Sequence, residues 1–337
     1  MKAQTIWLLI LLSAMMIAML ATPVARAVAF RIGMVDHPAP RKIHTRPIPL
    51  LGGAALYLAV LIALLVLEDR YNLPQLAGIL VGATAISFLG IWDDRWGLRP
   101  LIKLAGQIAV AGVVMATGVM VSLFPWPILN VLITLLWLVG ITNAFNLIDN
   151  MDGLSSGIGA VSAAFFLLLA ALNGQYLVGT LSAAVLGACI GFLRYNFNPA
   201  SIFMGDAGSL FLGFLMAVLG IKLRFPNNVA FVTWMVPVLV LGIPIFDTAL
   251  VIFSRLRRGL NPLTTPGKDH LSHRLVRAGM THREAVLTLY LAQAALGALA
   301  LFIAMAGTLE SYLIGTLVGG FALWALWCLE KPPFWEG

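Results

Sequence analysis

Two amides and two carboxylates follow one another at a fixed spacing where an apolar run ends. Asn143, Asn146, Asp149 and Asp152 are each three residues apart. Residues at this spacing lie on one face of a helix, so the pattern predicts a polar stripe that continues until the chain bends at Asn150 or Gly153. Because the surrounding sequence is strongly apolar, the stripe indicates a binding site.

Further carboxylates stand beside other apolar runs. Asp93 and Asp94 are adjacent, and Asp206 lies in a Gly-Asp-Ala-Gly-Ser turn just before the next run. Adjacent carboxylates at a membrane interface can bind a divalent cation or supply a general base. The structural alternatives are a solvated helix end that pairs with Arg95, and a helix cap at Asp206 or Ser209.

The longest polar stretch, residues 254–285, is also the most basic. Its positive side chains are Arg255, Arg257, Arg258, Lys268, Arg274, Arg277 and Arg283. His270 and His273 lie among them, and two histidines beside arginine and lysine predict a patch that binds phosphates. No cysteine pair or His-Glu-x-x-His motif accompanies them, which argues against zinc. Asp247, inside the preceding apolar run, is either a functional acid or a side chain that reaches the interface.

The composition is that of a membrane protein. Of 337 residues, 61% are hydrophobic and 10% charged, against roughly 45–50% and 25% in soluble domains. Apolar runs of about 20 residues match the thickness of a bilayer when they are helical. They predict an all-α polytopic protein that forms one transmembrane domain over residues 1–337. About eleven transmembrane helices are expected, near residues 6–31, 50–67, 75–92, 101–121, 127–145, 157–172, 176–193, 209–223, 229–253, 286–306 and 312–328.

Positive charge is distributed unevenly between the loops on the two sides of the membrane. Of the 21 Lys and Arg residues, 17 lie at 26–49, 93–103, 194–208 and 254–285 or in the tail. The positive-inside rule therefore makes these loops and the C-terminus cytoplasmic and places the N-terminus outside. The polar motifs fall on the same side, in loops at about 33–49, 93–100, 146–156, 194–208 and 254–285. The net charge of +7 is mostly a topology signal, so the expected partner is the lipid bilayer and not a nucleic acid.

One face of the membrane thus gathers carboxylates, arginines and histidines. Mg²⁺ that bridges a diphosphate takes one or two carboxylates together with phosphate oxygens. This chemistry suits a phosphorylated water-soluble donor that meets a phosphorylated lipid. An ion-coupled transporter is the alternative class, but its acids should lie near the bilayer midplane on pseudo-symmetric halves. A non-catalytic scaffold would leave the carboxylates beside apolar spans unexplained.

Five motifs in order resemble those of the polyprenyl-phosphate N-acetylhexosamine-1-phosphate transferases over nearly the whole chain. They are Asp36-x-Pro38 with Arg41-Lys42-x-His44 and Gly52-Gly53; Asp93-Asp94; Asn143-x-x-Asn146-x-x-Asp149-x-x-Asp152-Gly153; Tyr195-Asn196 with Phe203-Met-Gly-Asp206-x-Gly-Ser209; and His270 with His273. The resemblance implies transfer of an N-acetylhexosamine 1-phosphate, with GlcNAc as the leading sugar, from a UDP-sugar to undecaprenyl phosphate with release of UMP. A 6-deoxy sugar or muramoyl-pentapeptide donor is the alternative.

The same resemblance implies a place in the cell and roles for individual residues. The reaction would start lipid-linked surface polysaccharide synthesis at the cytoplasmic face of a bacterial inner membrane, and a homodimer is left open. Asp206 would bind Mg²⁺, with Mn²⁺ as the alternative ion. Asp93 or Asp94 would contact the lipid phosphate and deprotonate it, with His270 and His273 near the phosphates. The expected substrate-binding residues are Asn143, Asn146, Asp149, Asp152, Asn196, Lys42, His44 and Arg274.

Two positions depart from the family pattern. Asn150 stands where many members have glycine, and Ser272 stands where they often have a histidine. Asn tolerates a left-handed backbone better than most residues, so we expect the turn at Asn150 to survive, whereas the resemblance gives Ser272 no role. Because Asp93 and Asp94 supply a base without needing a nucleophile, we expect direct attack by the lipid phosphate and no covalent aspartyl intermediate.

Overall fold

The chain folds almost entirely into helices. A computed structural model describes residues 3–38, 46–67, 73–225, 228–229, 234–262, 265 and 267–334. These residues form thirteen helices and one pair of two-residue strands. In chain order the elements are α1 (Ala3–Ile32), β1 (Val35–Asp36), β2 (Ile48–Pro49), α2 (Gly52–Leu67), α3 (Leu73–Trp96), α4 (Pro100–Ala116), α5 (Pro127–Ile148), α6 (Leu154–Leu172), α7 (Tyr176–Asn196), α8 (Gly205–Lys222), α9 (Met235–Val240), α10 (Gly242–Arg257), α11 (Leu271–Arg277), α12 (His282–Met305) and α13 (Thr308–Leu329).

The described residues contain eight helices that are long and apolar enough to cross a membrane: α1, α3, α5, α6, α7, α8, α12 and α13. Two shorter apolar helices, residues 52–65 of α2 and all of α4, accompany them. Pro100 and Pro127 occupy the first positions of α4 and α5, where the missing N–H is not needed and the fixed φ favours helix. The prediction of an all-α polytopic membrane protein is confirmed.

Helix α8 lies at the centre of the bundle. Every residue from Ala207 to Ile221 is buried, and α8 packs against α3 and α5 as well as α2, α6 and α7. Because α8 has this central position, its first turn is surrounded by the ends of other helices. Helix α13 is by contrast mostly exposed in the bundle, and its only buried residues are Ser311 and Leu329.

Several helices differ in their bounds from the predicted spans, and the differences at α5 and α8 change where polar motifs lie. Helix α5 continues to Ile148, beyond the predicted 127–145, and carries Asn143 and Asn146. The chain leaves the helix before Asp149, so the polar stripe is shorter than predicted. Helix α8 begins before the predicted span at 209–223, which places Asp206 in its first turn.

The predicted single span at 229–253 is divided into α9 and α10 in the structure. Pro244 has no N–H to donate to the carbonyl oxygen of Val240. Gln293 Nε2 of α12 and Ser162 Oγ of α6 replace the missing donor, because each donates to Val240 O at 2.8 Å. Gln293 Oε1 also accepts from the backbone N–H of Ile243 at 3.0 Å. Gln293 thus contacts both sides of a helix break within an apolar environment.

The first polar loop is tied to the start of α8. Strands β1 and β2 pair antiparallel, with Val35 opposite Pro49. Pro49 O accepts from the backbone N–H of Phe203 at 2.8 Å, and Gly52 N–H donates to Phe203 O at 3.0 Å. The segment that leads into α8 is therefore held against the first loop.

Candidate functional site

The start of α8 brings Asp206 against α3. Gly205 has φ +67°, a left-handed conformation that glycine adopts without steric cost. Gly90 of α3 allows a close approach, because a Cβ there would lie 2.4 Å from the carbonyl oxygen of Asp206. Asp94 of α3 accepts hydrogen bonds from the backbone N–H groups of Asp206 at 2.9 Å and Ala207 at 3.0 Å. Asp94 thus satisfies two N–H groups that the helix leaves unpaired and places a negative charge at its positive end.

Lys103 of α4 lies between two carboxylates from different helices. Its Nζ forms ion pairs with Asp93, at 2.9 Å, and with Asp206. The same Nζ donates to Oδ1 of Asn146 at 3.0 Å. The positive charge of Lys103 therefore offsets the repulsion between the two carboxylates. Asp93, Asp94, Lys103, Asn146 and Asp206 are called the carboxylate cluster below.

Asn143 and Asn146 of α5 pair with polar residues of α4 or α8. Asn146 Nδ2 donates to Asp206 Oδ1 at 2.8 Å. Asn143 exchanges two hydrogen bonds with Gln107, from Nδ2 to Oε1 at 2.5 Å and from Nε2 to Oδ1 at 3.2 Å. Lys103 and Gln107 are four residues apart on α4, so these contacts lie along one line between α4 and α5. Asn146 belongs to the site, and Asn143 lies one turn deeper.

Lys103 and Gln107 are not among the residues that the sequence motifs identify. Lys103 is one of the positive loop charges that indicate topology, and Gln107 falls inside a predicted apolar span. Their spacing was the available signal, because two polar residues four apart in an apolar helix share one face.

Asp149 and Asp152 follow α5 but have different surroundings. Asp149 is half-buried, and burial, together with the charges of Asp206, Asp94 and Asp152, raises its pKa to about 8. Asp152 accepts hydrogen bonds at 3.0 and 2.9 Å from the side chain and backbone of the 198–200 turn. Asp149 therefore lies next to the carboxylate cluster, whereas Asp152 holds the turn that precedes α8.

Asn196, at the end of α7, uses its amide within the fold. It is 3% exposed, accepts from Ser156 Oγ at 2.8 Å and donates to Ile202 O at 3.1 Å. This geometry supports a role in shaping the connection to α8 and gives no support for the predicted contact with the nucleotide.

Residues 267–277, called the histidine loop below, are anchored by buried ions. Arg274 is fully buried and donates to Glu330 Oε1 at 2.9 Å, to a serine hydroxyl and to two backbone carbonyls. Asp269 accepts two hydrogen bonds of 2.9 Å from Arg255. Burial opposes ionisation of Asp269, but the hydrogen bonds and charge of Arg255 outweigh it and lower the pKa to about 2. Arg274 thus shapes the loop, and the geometry does not support the predicted substrate contact.

The two histidines of the loop are held differently. Nδ1 of His270 lies 2.8 Å from Oδ2 of Asp247, whose Oδ1 accepts from the backbone N–H of Leu271 at 2.6 Å. The ring of His273 lies 6.2 Å from that of His270, centroid to centroid. Burial, together with the charges of its neighbours, lowers the pKa of His273 to about 4, so this ring is neutral at pH 7.

Ser272 connects the histidine loop to the chain segment beside the carboxylate cluster. Its Oγ donates to Oδ1 of Asn150 at 2.6 Å, and Nδ2 of Asn150 donates to Leu147 O at 2.9 Å. The two residues that depart from the family pattern therefore contact each other. This link places the histidine loop against the segment between Asp149 and Asp152.

The structure brings part of the predicted site together. The predicted residues in or beside the carboxylate cluster are Asp93, Asp94, Asn146, Asp149 and Asp206. His270 and His273 lie in a second group that reaches the first through Ser272. Lys42 and His44 fall outside the described residues.

The carboxylate cluster offers the oxygen donors that a hard divalent cation takes. Across the described ranges, no group of three or more His, Cys, Asp and Glu side chains is arranged as a preformed metal site. Mg²⁺ usually binds one or two carboxylates and completes its shell with water and phosphate oxygens. The pair of Asp93 and Asp206 fits this mode of binding, although Lys103 already contacts both.

Comparison with known proteins identifies similar sequences. Residues 76–224, which contain the carboxylate cluster, match the model of glycosyl transferase family 4. The chain is 39% identical to a probable undecaprenyl-phosphate N-acetylglucosaminyl 1-phosphate transferase of Bacillus subtilis, over 81% of this chain and 78% of the relative. It is 35% identical to a decaprenyl-phosphate N-acetylglucosaminephosphotransferase of Mycolicibacterium smegmatis, over 83% and 78%. It is 30% identical to an undecaprenyl-phosphate alpha-N-acetylglucosaminyl 1-phosphate transferase of Salmonella typhimurium, over 81% and 77%.

Proposed function

This chain belongs to glycosyl transferase family 4, and we propose that it transfers N-acetylglucosamine 1-phosphate from UDP-GlcNAc to undecaprenyl phosphate. UMP is released, and the lipid-linked sugar begins a cell-surface polysaccharide. The observation that carries the proposal is the carboxylate cluster, in which Lys103 joins Asp93 and Asp206 at the ends of apolar helices. The names of the relatives support both the sugar and the polyprenyl phosphate.

In the proposed reaction, a phosphate oxygen of the lipid attacks the β-phosphorus of UDP-GlcNAc, which carries the sugar. The bond from this phosphorus to the oxygen of UMP breaks as the new bond forms. A phosphate monoester has a second pKa of about 6, so most of the lipid phosphate is already dianionic at pH 7. The main requirements are therefore alignment and positive charge near the phosphates.

The side chains of the cluster divide this work. Lys103 supplies a positive charge for phosphate oxygens, and Asp93 and Asn146 hold its Nζ in place. Asp94 commits both oxygens to the first turn of α8, so we assign it to the positioning of Asp206. Asp149, which lies beside the cluster, is assigned to the nucleotide end of the donor.

Mg²⁺ is the proposed cofactor, with Mn²⁺ as the alternative. Asp206 is the proposed ligand and Asp93 the second, because their carboxylates converge on one point and the Asp206 side chain is 31% exposed. A divalent ion held there supplies positive charge that offsets the charge of the two phosphates. Addition of EDTA should abolish UMP release, and Mg²⁺ should restore it. Full activity after dialysis against EDTA would contradict this assignment.

We place the protein in a bacterial inner membrane, with eleven spans and the carboxylate cluster on the cytoplasmic face. The count includes α2 and α4 and treats α9 with α10 as one broken span. The positive loops support a cytoplasmic C-terminus and an external N-terminus. In a bacterial host, a C-terminal green fluorescent protein should fluoresce, and a C-terminal alkaline phosphatase should be inactive. The opposite pattern would overturn the orientation.

The reaction is tested with purified protein, undecaprenyl phosphate, Mg²⁺ and a panel of UDP-sugars. The panel contains UDP-GlcNAc, UDP-GalNAc, a UDP-6-deoxy-N-acetylhexosamine and UDP-MurNAc-pentapeptide. We expect UMP release to be fastest with UDP-GlcNAc and to require the lipid phosphate. Absence of UMP with every donor would contradict the proposal, and preference for another sugar would correct the donor.

The same preparation distinguishes direct attack from a covalent intermediate. If the lipid phosphate attacks directly, labelled UMP is not incorporated into UDP-GlcNAc when the lipid is absent. Incorporation without lipid would show that a protein side chain carries the sugar phosphate first. Incorporation after lipid addition serves as the positive control, because the overall reaction exchanges one diphosphate bond for another.

A further inference from the structure

Asp247 is a buried carboxylate that contacts the histidine loop at two points. It lies on α10, is 1% exposed and uses both oxygens. Oδ2 lies 2.8 Å from Nδ1 of His270, and Oδ1 accepts from the backbone N–H of Leu271 at 2.6 Å. The ring and the backbone next to it are therefore both attached to one rigid helix.

These two contacts determine which nitrogen of His270 carries the proton in the neutral ring. An ionised carboxylate only accepts hydrogen bonds, so Nδ1 is the donor and Nε2 keeps its lone pair. Among the described residues, Nε2 of His270 has no hydrogen-bond partner. It is nevertheless not a buried unpaired atom, because Ser182 Oγ is the one such side-chain N or O atom in this part of the chain. Nε2 of His270 therefore reaches the molecular surface.

The position of Asp247 depends on the break between α9 and α10. Helix α10 starts anew at Gly242 because Pro244 interrupts the hydrogen bonds and Gln293 replaces them. This restart directs α10 toward the first turn of α11, where His270 is the N-cap residue. A helix cap alone needs one acceptor, which an amide also provides, so capping does not explain a carboxylate with two partners.

We propose that Asp247 is a positioning residue that fixes His270 as the Nδ1–H tautomer and presents its Nε2 toward the substrate phosphates. Contact between Nε2 and the phosphates rests on the proposed function, whereas the tautomer does not. Asp247 acts through His270 and does not touch the substrate. The same arrangement gives a reason for an acid at this position of an apolar span.

Asp247→Asn gives a specific test of the tautomer. The backbone N–H of Leu271 requires an acceptor, so the single amide oxygen should remain there. The amide Nδ2 then faces Nδ1 of His270 and can only donate, which should shift the proton of the ring to Nε2. Thr248→Val, a change of similar size on the next residue of α10, is the matched control.

The tautomer is measured by ¹⁵N NMR of histidine-labelled protein in detergent at pH 8, where free imidazole is neutral. The chain has five histidines, and His270→Gln assigns the signal. We expect the Nδ1–H pattern in the wild type and in Thr248→Val, and the Nε2–H pattern in Asp247→Asn. An Nε2–H pattern in the wild type, or no change in Asp247→Asn, would overturn the proposal.

Activity provides the second measurement. We expect Asp247→Asn to lower kcat about 10- to 100-fold, the range found when the carboxylate behind a metal-binding histidine is lost, with the KM for UDP-GlcNAc within about twofold. Asp247→Asn should cause no further loss in a His270→Gln background, because its effect passes through His270. Additive losses, or a loss matched by Thr248→Val, would reject the positioning role. If the wild type forms no UMP while the tautomer shifts as expected, the proposed function fails and the geometry stands.

Discussion

The carboxylate cluster and the histidine loop are both built from ion pairs, but one is open and the other is sealed. The side chains of Lys103, Asp93 and Asp206 are 15%, 14% and 31% exposed. Those of Arg274 and Glu330 are 0% and 2% exposed. A partly exposed pair can exchange a partner for a charge on the substrate, whereas opening a sealed pair leaves a buried charge without compensation. The difference teaches that charge in the first region is accessible to a ligand, whereas charge in the second region shapes the backbone.

The two regions also differ in the helices that build them. The cluster draws two side chains from the end of α3 and one each from α4, α5 and α8, and α8 packs directly against α3 and α5. The histidine loop depends on α10 and on residues just after α13, through Arg255 and Glu330. The hydrogen bond between Asn150 and Ser272 joins the two. We therefore expect substitutions in the cluster to change activity, and substitutions in the buried ion pairs that anchor the loop to change stability.

The largest effect is expected for Asp206→Asn. The change keeps the shape of the side chain but removes the charge that contacts Lys103 and Asn146. Loss of a preorganised charged group at a reacting centre costs on the order of 10³-fold in kcat. UMP release measures this loss, and the unfolding temperature should change little. Glu284→Gln, the same chemical change at the start of α12, is the control, and wild-type activity in Asp206→Asn would contradict our assignment of the cluster.

A smaller loss, on the order of 10²-fold in kcat/KM, is expected for Lys103→Met. The substitution removes the positive charge between Asp93 and Asp206 and leaves the two carboxylates to repel each other. Arg99→Gln removes the same charge from an exposed position at the start of α4 and should stay within about twofold of the wild type. Equal effects of the two variants would show that Lys103 acts only through net charge.

Asp206 and Lys103 also show how far the sequence predicts the site. Asp206 is predictable because a carboxylate in a glycine-rich turn beside an apolar run has few structural uses. Lys103 is not, because a lysine near the end of a span fits the positive-inside pattern equally well. Only its contact with residues from α3, α5 and α8 separates the two readings, and such contacts depend on how helices pack.

Burial of polar side chains is the other property that sequence spacing does not report. Arg274 lies in a basic loop with several exposed arginines, yet it is sealed by Glu330, 56 residues away. Asn196 lies in a motif beside the site, yet its amide faces Ser156 and Ile202. The break between α9 and α10 is similar, because hydropathy averages over it and its partner, Gln293, comes from a later helix.

Arg274→Met tests the sealed side of the comparison. Removing one member of a buried pair costs about 3–5 kcal/mol, because the charge of Glu330 is left in the interior. We expect a lower unfolding temperature in detergent, with kcat per folded molecule within about twofold of the wild type. Arg277→Met, on the exposed side of the same helix, should change stability by at most about 0.5 kcal/mol. A large loss of kcat in folded Arg274→Met would place Arg274 in the site after all.

The smallest effect concerns the pH dependence of stability and comes from His273. Burial, with the charges of Lys268 and Arg277, lowers its pKa to about 4, below the value of about 6.5 expected in the unfolded chain. Between these values the unfolded state binds more protons, so stability falls as the pH decreases from about 6.5 toward 4. The unfolding temperature of His273→Gln should therefore fall less than that of the wild type between pH 7.5 and 5. Between pH 7.5 and 8.5, position 273 should not change the unfolding temperature of either protein. Parallel curves for the two proteins at acidic pH would mean that the ring of His273 is not held neutral in the loop.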